Sequence, residues 1–199
     1  MLRLKTALSC VAFVFALTPL AAQAAALAVV NVNAPAVNCV FSTNCINVVT
    51  DSVGKFTPLG GIGMAFLQSR TTPGILPAPA GGKMAYEYRV DMTQVKSVGA
   101  VACVTKVDID FGPVVKEPYP PGPLEDVYVI TSGGLGSVGI ASATQAGSMI
   151  TFNFGAGGVC PGQTSYFFGL TSAGTMPKPG VATLSFSAGS PQSIPDRTP

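Results

Sequence analysis

Asp108 and Asp110 stand two apart in residues 101–111, VACVTKVDIDF. On an extended strand that spacing puts both carboxyls on one face. Joined by Glu117, Glu125 or Asp126 from neighbouring loops, they have the chemistry to coordinate calcium or to serve as acid and base in glycoside hydrolysis. Lys106 shares their face as a counter-charge. The simpler reading is a solvated strand face, with Asp108 and Asp110 as weak metal candidates and neither a catalytic nor a cofactor-binding residue assigned.

The chain contains no histidine. That removes Ser-His-Asp and Cys-His nucleophile systems, histidine-held catalytic metals and imidazole bases. An enzyme built from this chain would depend on carboxylates, Tyr, Lys or a cofactor, so the expectation is a protein that is not an enzyme. Gly134, Gly136 and Gly139 match GxGxxG, but that fingerprint needs a following helix and an acidic residue about 20 positions on. No Asp or Glu occurs between Asp126 and Asp196, so a glycine turn is the better reading. Tyr86, Tyr88 and Tyr166 have the chemistry of a sugar-stacking platform, and residues 117–123, EPYPPGP, that of a polyproline ligand. Core packing and a rigid surface loop are the simpler readings of the two.

Four cysteines remain once Cys10 of the N-terminal segment is set aside: Cys39, Cys45, Cys103 and Cys160. An even number in an exported chain reads as two disulfides, and three pairings are possible. The preferred pairing is Cys39–Cys45, clipping a short loop, with Cys103–Cys160 tying distant strands across the core.

The elements that position these residues read almost wholly as strands. Residues 149–172, MITFNFGAGGVCPGQTSYFFGLTS, read as a hairpin. Ile150, Phe152 and Phe154 alternate with polar residues, a glycine-rich turn follows, and Tyr166, Phe167 and Phe168 restart a strand. Its aromatic content makes it the expected centre of the core. In residues 84–93, Tyr86, Tyr88, Val90 and Met92 are expected inside, with Glu87, Arg89 and Asp91 on a wet face. In residues 101–111, Val101, Cys103, Val107, Ile109 and Phe111 are expected inside, opposite Lys106, Asp108 and Asp110.

Further strands are expected at residues 27–33, 36–41, 45–50, 62–68, 126–131, 138–143 and 181–188. A turn is expected at residues 51–54 and loops at 71–83, 114–124 and 175–180. No amphipathic helix is evident. The pattern predicts an all-β, immunoglobulin-like antiparallel β-sandwich of about eight to ten strands with Greek-key connections.

Arg3 and Lys5, an apolar run over residues 7–20 and Ala22-Gln23-Ala24 form a Sec-type signal peptide, with cleavage expected near Ala24. Residues 25–188 are then the sandwich domain, and 189–199 a polar, disordered tail. Without Arg3 and Lys5, nine of the 11 cationic residues face nine acidic ones. A neutral chain carries no electrostatic footprint for nucleic acid, and no second apolar run is long enough to anchor it in a bilayer.

Residues 160–172, CPGQTSYFFGLTS, resemble a segment found late in bacterial exported β-sandwich proteins, including exosortase-sorted ones with a PEP-CTERM tail. In those a Tyr-x-Tyr strand comes earlier in the domain, where this chain has Tyr86-Glu87-Tyr88. The resemblance spans residues 84–188 and implies an immunoglobulin-like surface or matrix domain without catalytic residues. The final SIPDRTP departs from it, lacking the Pro-Glu-Pro motif, apolar helix and basic end, which implies an unanchored protein.

The resulting expectation is a secreted or periplasmic, non-enzymatic protein with a structural, surface, matrix or binding role. Its partner would be an extracytoplasmic protein or polysaccharide. No cofactor is expected beyond the calcium option. The alternatives are a calcium-assisted carbohydrate-binding module and a carboxylate-based hydrolase.

Overall fold

The computed structural model describes residues 23–120, 122–133, 136–174 and 176–199. The signal read in residues 1–24 lies, but for Gln23 and Ala24, outside them. In chain order the strands are β1 (Ala25–Leu27), β2 (Val29–Asn33), β3 (Thr50–Phe56), β4 (Gly61–Ile62), β5 (Ala65–Pro73), β6 (Met84–Asp91) and β7 (Lys96–Ser97). They continue as β8 (Val104–Asp110), β9 (Val127–Ser132), β10 (Ile140–Ala146), β11 (Met149–Phe154), β12 (Phe167–Ser172), β13 (Lys178–Phe186) and β14 (Gln192–Thr198).

Two six-stranded sheets form an all-β sandwich. Sheet I has the order β1-β10-β11-β8-β13-β14 and sheet II the order β2-β9-β12-β6-β5-β3. All pairs in them are antiparallel except β2 with β9. The steps from β8 to β9 and from β11 to β12 both change sheets, while β8 neighbours β11 and β9 neighbours β12. This interlocked crossing is the Greek-key connectivity expected for a sandwich.

The core follows from alternation. Val107, Ile109, Phe152, Ala182 and Leu184 of sheet I face Leu67, Tyr86, Tyr88, Phe168 and Leu170 of sheet II, all fully buried. Phe152 and Phe168 meet with ring centroids 4.8 Å apart, and Tyr86 stands edge-on to Phe111 at 5.2 Å. Each such aromatic pair adds about 1 kcal/mol to the burial of its area. Tyr86 and Tyr88 are therefore core residues, and Tyr166 packs against the same cluster.

Residues 149–172 are not a hairpin. β11 pairs in sheet I with β10 and β8, and β12 pairs in sheet II with β6 and β9. The glycine-rich segment between them carries the chain across the sandwich, so their aromatics face each other instead of lying side by side. Residues 27–33 are likewise split at Ala28, with β1 in sheet I and β2 in sheet II. Asp126 holds this switch: its Oδ2 accepts from Ala28 N at 2.9 Å and pairs with Lys116 Nζ at 3.0 Å.

Three local expectations are corrected. Residues 36–41 contain a 3-10 helix, Val37–Val40, instead of a strand. Val37, Val40 and Phe41 recur at three- and four-residue spacing and bury one side of that turn. Residues 45–49 are irregular, with Ile46 and Val48 exposed. The strand begins at Thr50 and runs through the expected turn at 51–54, where β3 passes beneath β14: a Cβ on Gly54 would overlap Ile194 and come within 2.7 Å of Pro195 O.

The tail is also ordered. β14 pairs with β13 from Lys178↔Thr198 to Leu184↔Gln192 and buries Ile194 and Asp196. Pro195 is tolerated because β14 is an edge strand of its sheet. The sandwich thus extends to Thr198 rather than ending at residue 188.

Candidate binding site

The wet face expected on β6 is only partly wet, because sheet II carries a third layer. Phe41 beside the 3-10 helix, Ala80 of the loop after β5 and Tyr119 of the proline-rich segment pack with Tyr128, Ile130 and Phe167 on its outer side. The phenol of Tyr119 is within 2.8 Å of Thr171 Oγ1, and Lys83 Nζ holds Glu117 Oε1 at 2.7 Å. The proline-rich loop is thus a packed cover. Gly169 lets Tyr128 lie flat across β12 and donate to Tyr86 O at 3.0 Å, since a Cβ there would come within 2.6 Å of the Tyr128 oxygen.

The cover stops halfway across the sheet. Its outer face is arranged in rows, one of which runs Val53, Gln68, Arg89, with the Arg89 guanidinium reaching over the ring of Phe167. The next row pairs Lys55, Phe66 and Asp91, and the row on the other side joins Asp51, Arg70 and Glu87. On the uncovered half, Val53, Phe66, Gln68, Arg89 and Asp91 line a hollow of about 280 Å³.

Charges crowd the edge of this hollow. The guanidinium carbons of Arg89 and Arg70 lie 5.0 Å and 5.3 Å from the centroid of the same Phe167 ring, a cation-π geometry. Arg70 Nε approaches Asp51 Oδ1 at 3.2 Å and Glu87 Oε2 at 3.7 Å, and its Nη2 donates to Asn38 Oδ1 at 2.9 Å. Arg89 Nη2 is 3.6 Å from Asp91 Oδ2, beyond hydrogen-bonding length. Asp91 Oδ1 instead accepts from Thr93 N and Thr93 Oγ1, at 2.9 Å and 2.6 Å.

The Nε atoms of both arginines are buried without a hydrogen-bonded partner. Burial leaves Arg89 below the usual arginine range; Asp91 and Asp51 oppose that shift and the neighbouring charge of Arg70 adds to it. Glu87 is 1% exposed. Burial raises its pKa to about 7, against the opposing influence of Arg70 and of the Thr72 hydroxyl that donates to it at 3.1 Å. Sequence reasoning placed Glu87, Arg89 and Asp91 on one face, but it did not foresee that Arg70, Phe167 and a third layer would join them. The available signal was the charged alternation itself.

Asp108 and Asp110 lie on the outer face of sheet I. Asp108 accepts from Thr151 Oγ1 at 2.6 Å and pairs with Lys106 Nζ at 2.8 Å, while Asp110 is exposed. The loop acids do not join them: Glu117 is held by Lys83, and Asp126 by Lys116 and Ala28 N. Among the described residues no group of three or more Cys, Asp or Glu side chains comes together as a metal would require. The described part of the glycine motif, from Gly136, runs into β10 without a helix. A larger hollow of about 500 Å³, between Gly112 and Ser148, is lined by no ionisable side chain.

Both disulfides pair as expected, Cys39–Cys45 and Cys103–Cys160. The position of the second differs from the expectation. Cys103 and Cys160 are only half-buried and flank the mutual hydrogen bonds of Val104 with Val159, at 2.9 Å and 2.8 Å. The bond therefore staples the start of β8 to the segment that follows β11, where the chain leaves sheet I for sheet II, and does not cross the core. Among the described residues no helix is long and apolar enough to cross a membrane.

The fold and its covalent links define a disulfide-linked, all-β sandwich with an extra outer layer on one sheet. Comparison with family models, with curated proteins and with solved structures found no match.

Proposed function

We propose that this is an exported, non-enzymatic β-sandwich protein that acts outside the cytoplasm by binding a surface or matrix component. The observation that carries the reading is the half-covered outer face of sheet II. Its own loops seal one half, and the other presents a hollow that mixes apolar walls with an amide, a carboxylate and a guanidinium. Such a mixture of an apolar surface with a few fixed polar groups is the general character of a ligand site. Two disulfides suit an oxidising compartment, and the signal-like N-terminal segment supplies a route to it. The likeness of residues 160–172 to exported bacterial surface proteins points the same way.

Expression of the full chain in a bacterial host tests the reading. Fractionation should recover the protein outside the cytoplasm with an N-terminus near Ala25. Incubation with isolated envelope or matrix polysaccharide should show retention on the material without release of new reducing ends. Retention in the cytoplasm with an intact Met1, or steady turnover of the polysaccharide, would overturn it.

A further inference from the structure

We propose that the hollow bounded by Val53, Phe66, Gln68, Arg89 and Asp91 binds a uronic acid residue of an acidic polysaccharide. The inference rests on the binding role proposed above and adds the ligand's chemistry.

The walls match the parts of such a sugar. Val53 is 52% exposed and Phe66 half-buried, and together they offer an apolar surface for the C–H face of a pyranose ring. Gln68 and Asp91 supply the amide and carboxylate that sugar hydroxyls require. The remaining wall residue, Arg89, is the natural partner of a carboxylate, because its planar fork pairs bidentately with two oxygens.

Arg89 is also short of negative charge in the protein itself. Its Nε is buried without an acceptor, and its closest carboxylate stands at 3.6 Å with its other oxygen engaged by Thr93. Arg70, over the same phenyl ring, is a second cation beside it, and Lys55 is a third on the adjacent row. Asp51 and Asp91 oppose these three, with Glu87 as the remaining acid.

Glu87 sets the pH dependence. The groups facing it are Arg70 and Thr72 from β5, Asp51 from β3 and Tyr128 from β9, with Arg89 two positions on along its own strand; Asn38 holds the far side of Arg70. With its pKa raised to about 7, Glu87 gives up its charge as pH falls through neutrality, and the cluster gains one net positive charge. Uronate carboxylates remain ionised over that range, so binding strengthens towards pH 6.

The test uses the exported full-length protein with an oligogalacturonate, its methyl ester and a glutamate-rich peptide, followed by calorimetry and amide chemical shifts at low salt. The acid should bind with perturbations centred on Val53, Phe66, Gln68 and Arg89, at least tenfold more tightly than the ester. Affinity should rise at least threefold from pH 8 to pH 6, and Glu87→Gln should hold it at the acid-side value. Val53→Glu, at an exposed rim position, should weaken binding at least tenfold without moving the thermal midpoint, so loss of fold cannot mimic the result. Equal affinity for acid and ester, perturbations elsewhere, or an indifferent Val53→Glu would overturn the proposal. Equal binding of the peptide at the same residues would overturn the sugar assignment. Failure of the acid to bind overturns this inference alone, because export and absence of turnover are measured separately.

Discussion

Replacing Asp196 with Asn should make the protein more stable at alkaline pH and remove much of its pH dependence. Asp196 sits on β14 with its side chain turned into the sandwich, and the residue is 4% exposed. Its Oδ1 accepts from Arg197 N at 2.6 Å, but Oδ2 is buried without a hydrogen-bonded partner. The Ser69 hydroxyl lies near enough to favour the ionised form, yet Ser69 Oγ makes no hydrogen bond of good geometry either. Burial outweighs both influences and raises the carboxyl from 3.8 to about 7. Between those values the folded chain keeps a proton that the unfolded chain has released. Stability is therefore fully present below pH 4 and falls as pH rises through 7. A shift of this size corresponds to at most about 4 kcal/mol by linkage. Glu87, raised from 4.5 to about 7, adds a decline of the same sign and of roughly 3 kcal/mol. Against a typical domain stability of about 5–15 kcal/mol, the parent should be visibly less stable at pH 8 than at pH 4.5. Urea unfolding followed by far-ultraviolet circular dichroism suits a chain without tryptophan. Asp196→Asn should flatten the profile and exceed the parent at pH 8. A parent whose unfolding free energy is level or rises from pH 4.5 to 7.5, or a variant that keeps the parent's slope, would refute the reasoning.

Other expectations are simpler to check. Opening Cys103–Cys160 by a double Ala substitution should cost about 4 kcal/mol and opening Cys39–Cys45 about 2 kcal/mol, because the closed loops differ so much in length; the reverse order in chemical denaturation would count against the chain-entropy account. Gly169→Ala should lower stability by roughly 3 kcal/mol or more, since the added methyl meets Tyr86 O and the Tyr128 ring, and a variant melting with the parent would contradict that packing. Asp108→Asn with Asp110→Asn should change stability by only about 1 kcal/mol, because Asp110 is exposed and an amide at position 108 still offers Thr151 an acceptor while giving up the half-exposed pair with Lys106. Adding calcium against chelator should leave the melting temperature of the parent in place. A calcium-dependent rise that disappears in the double variant would restore the metal reading.

Much of the sandwich was legible because strand periodicity is a local property. Tyr86, Tyr88 and Val90 alternate with polar neighbours, as do Val107 with Ile109 and Phe152 with Phe154, and all of these inward residues are buried as expected. The cysteine pairs were legible from spacing and even number, and the long proline-rich segment from its missing amide donors. By contrast, no local pattern says which sheet a strand joins. Residues 149–172 look like a hairpin because two strands flank a glycine turn, yet the turn is a crossing between sheets. Residues 192–198 look like a tail because Ile194 is their only strongly apolar residue, yet pairing with β13 satisfies their backbone and buries Asp196. The candidate site depended on tertiary structure most of all. Alternation placed Glu87 and Arg89 opposite the core, which is correct, but Glu87 is buried on a face over which Phe41 and Tyr119, remote in the chain, pack with Tyr128. Burial of a charge is a property of what covers it, and the covering residues are chosen by the fold as a whole.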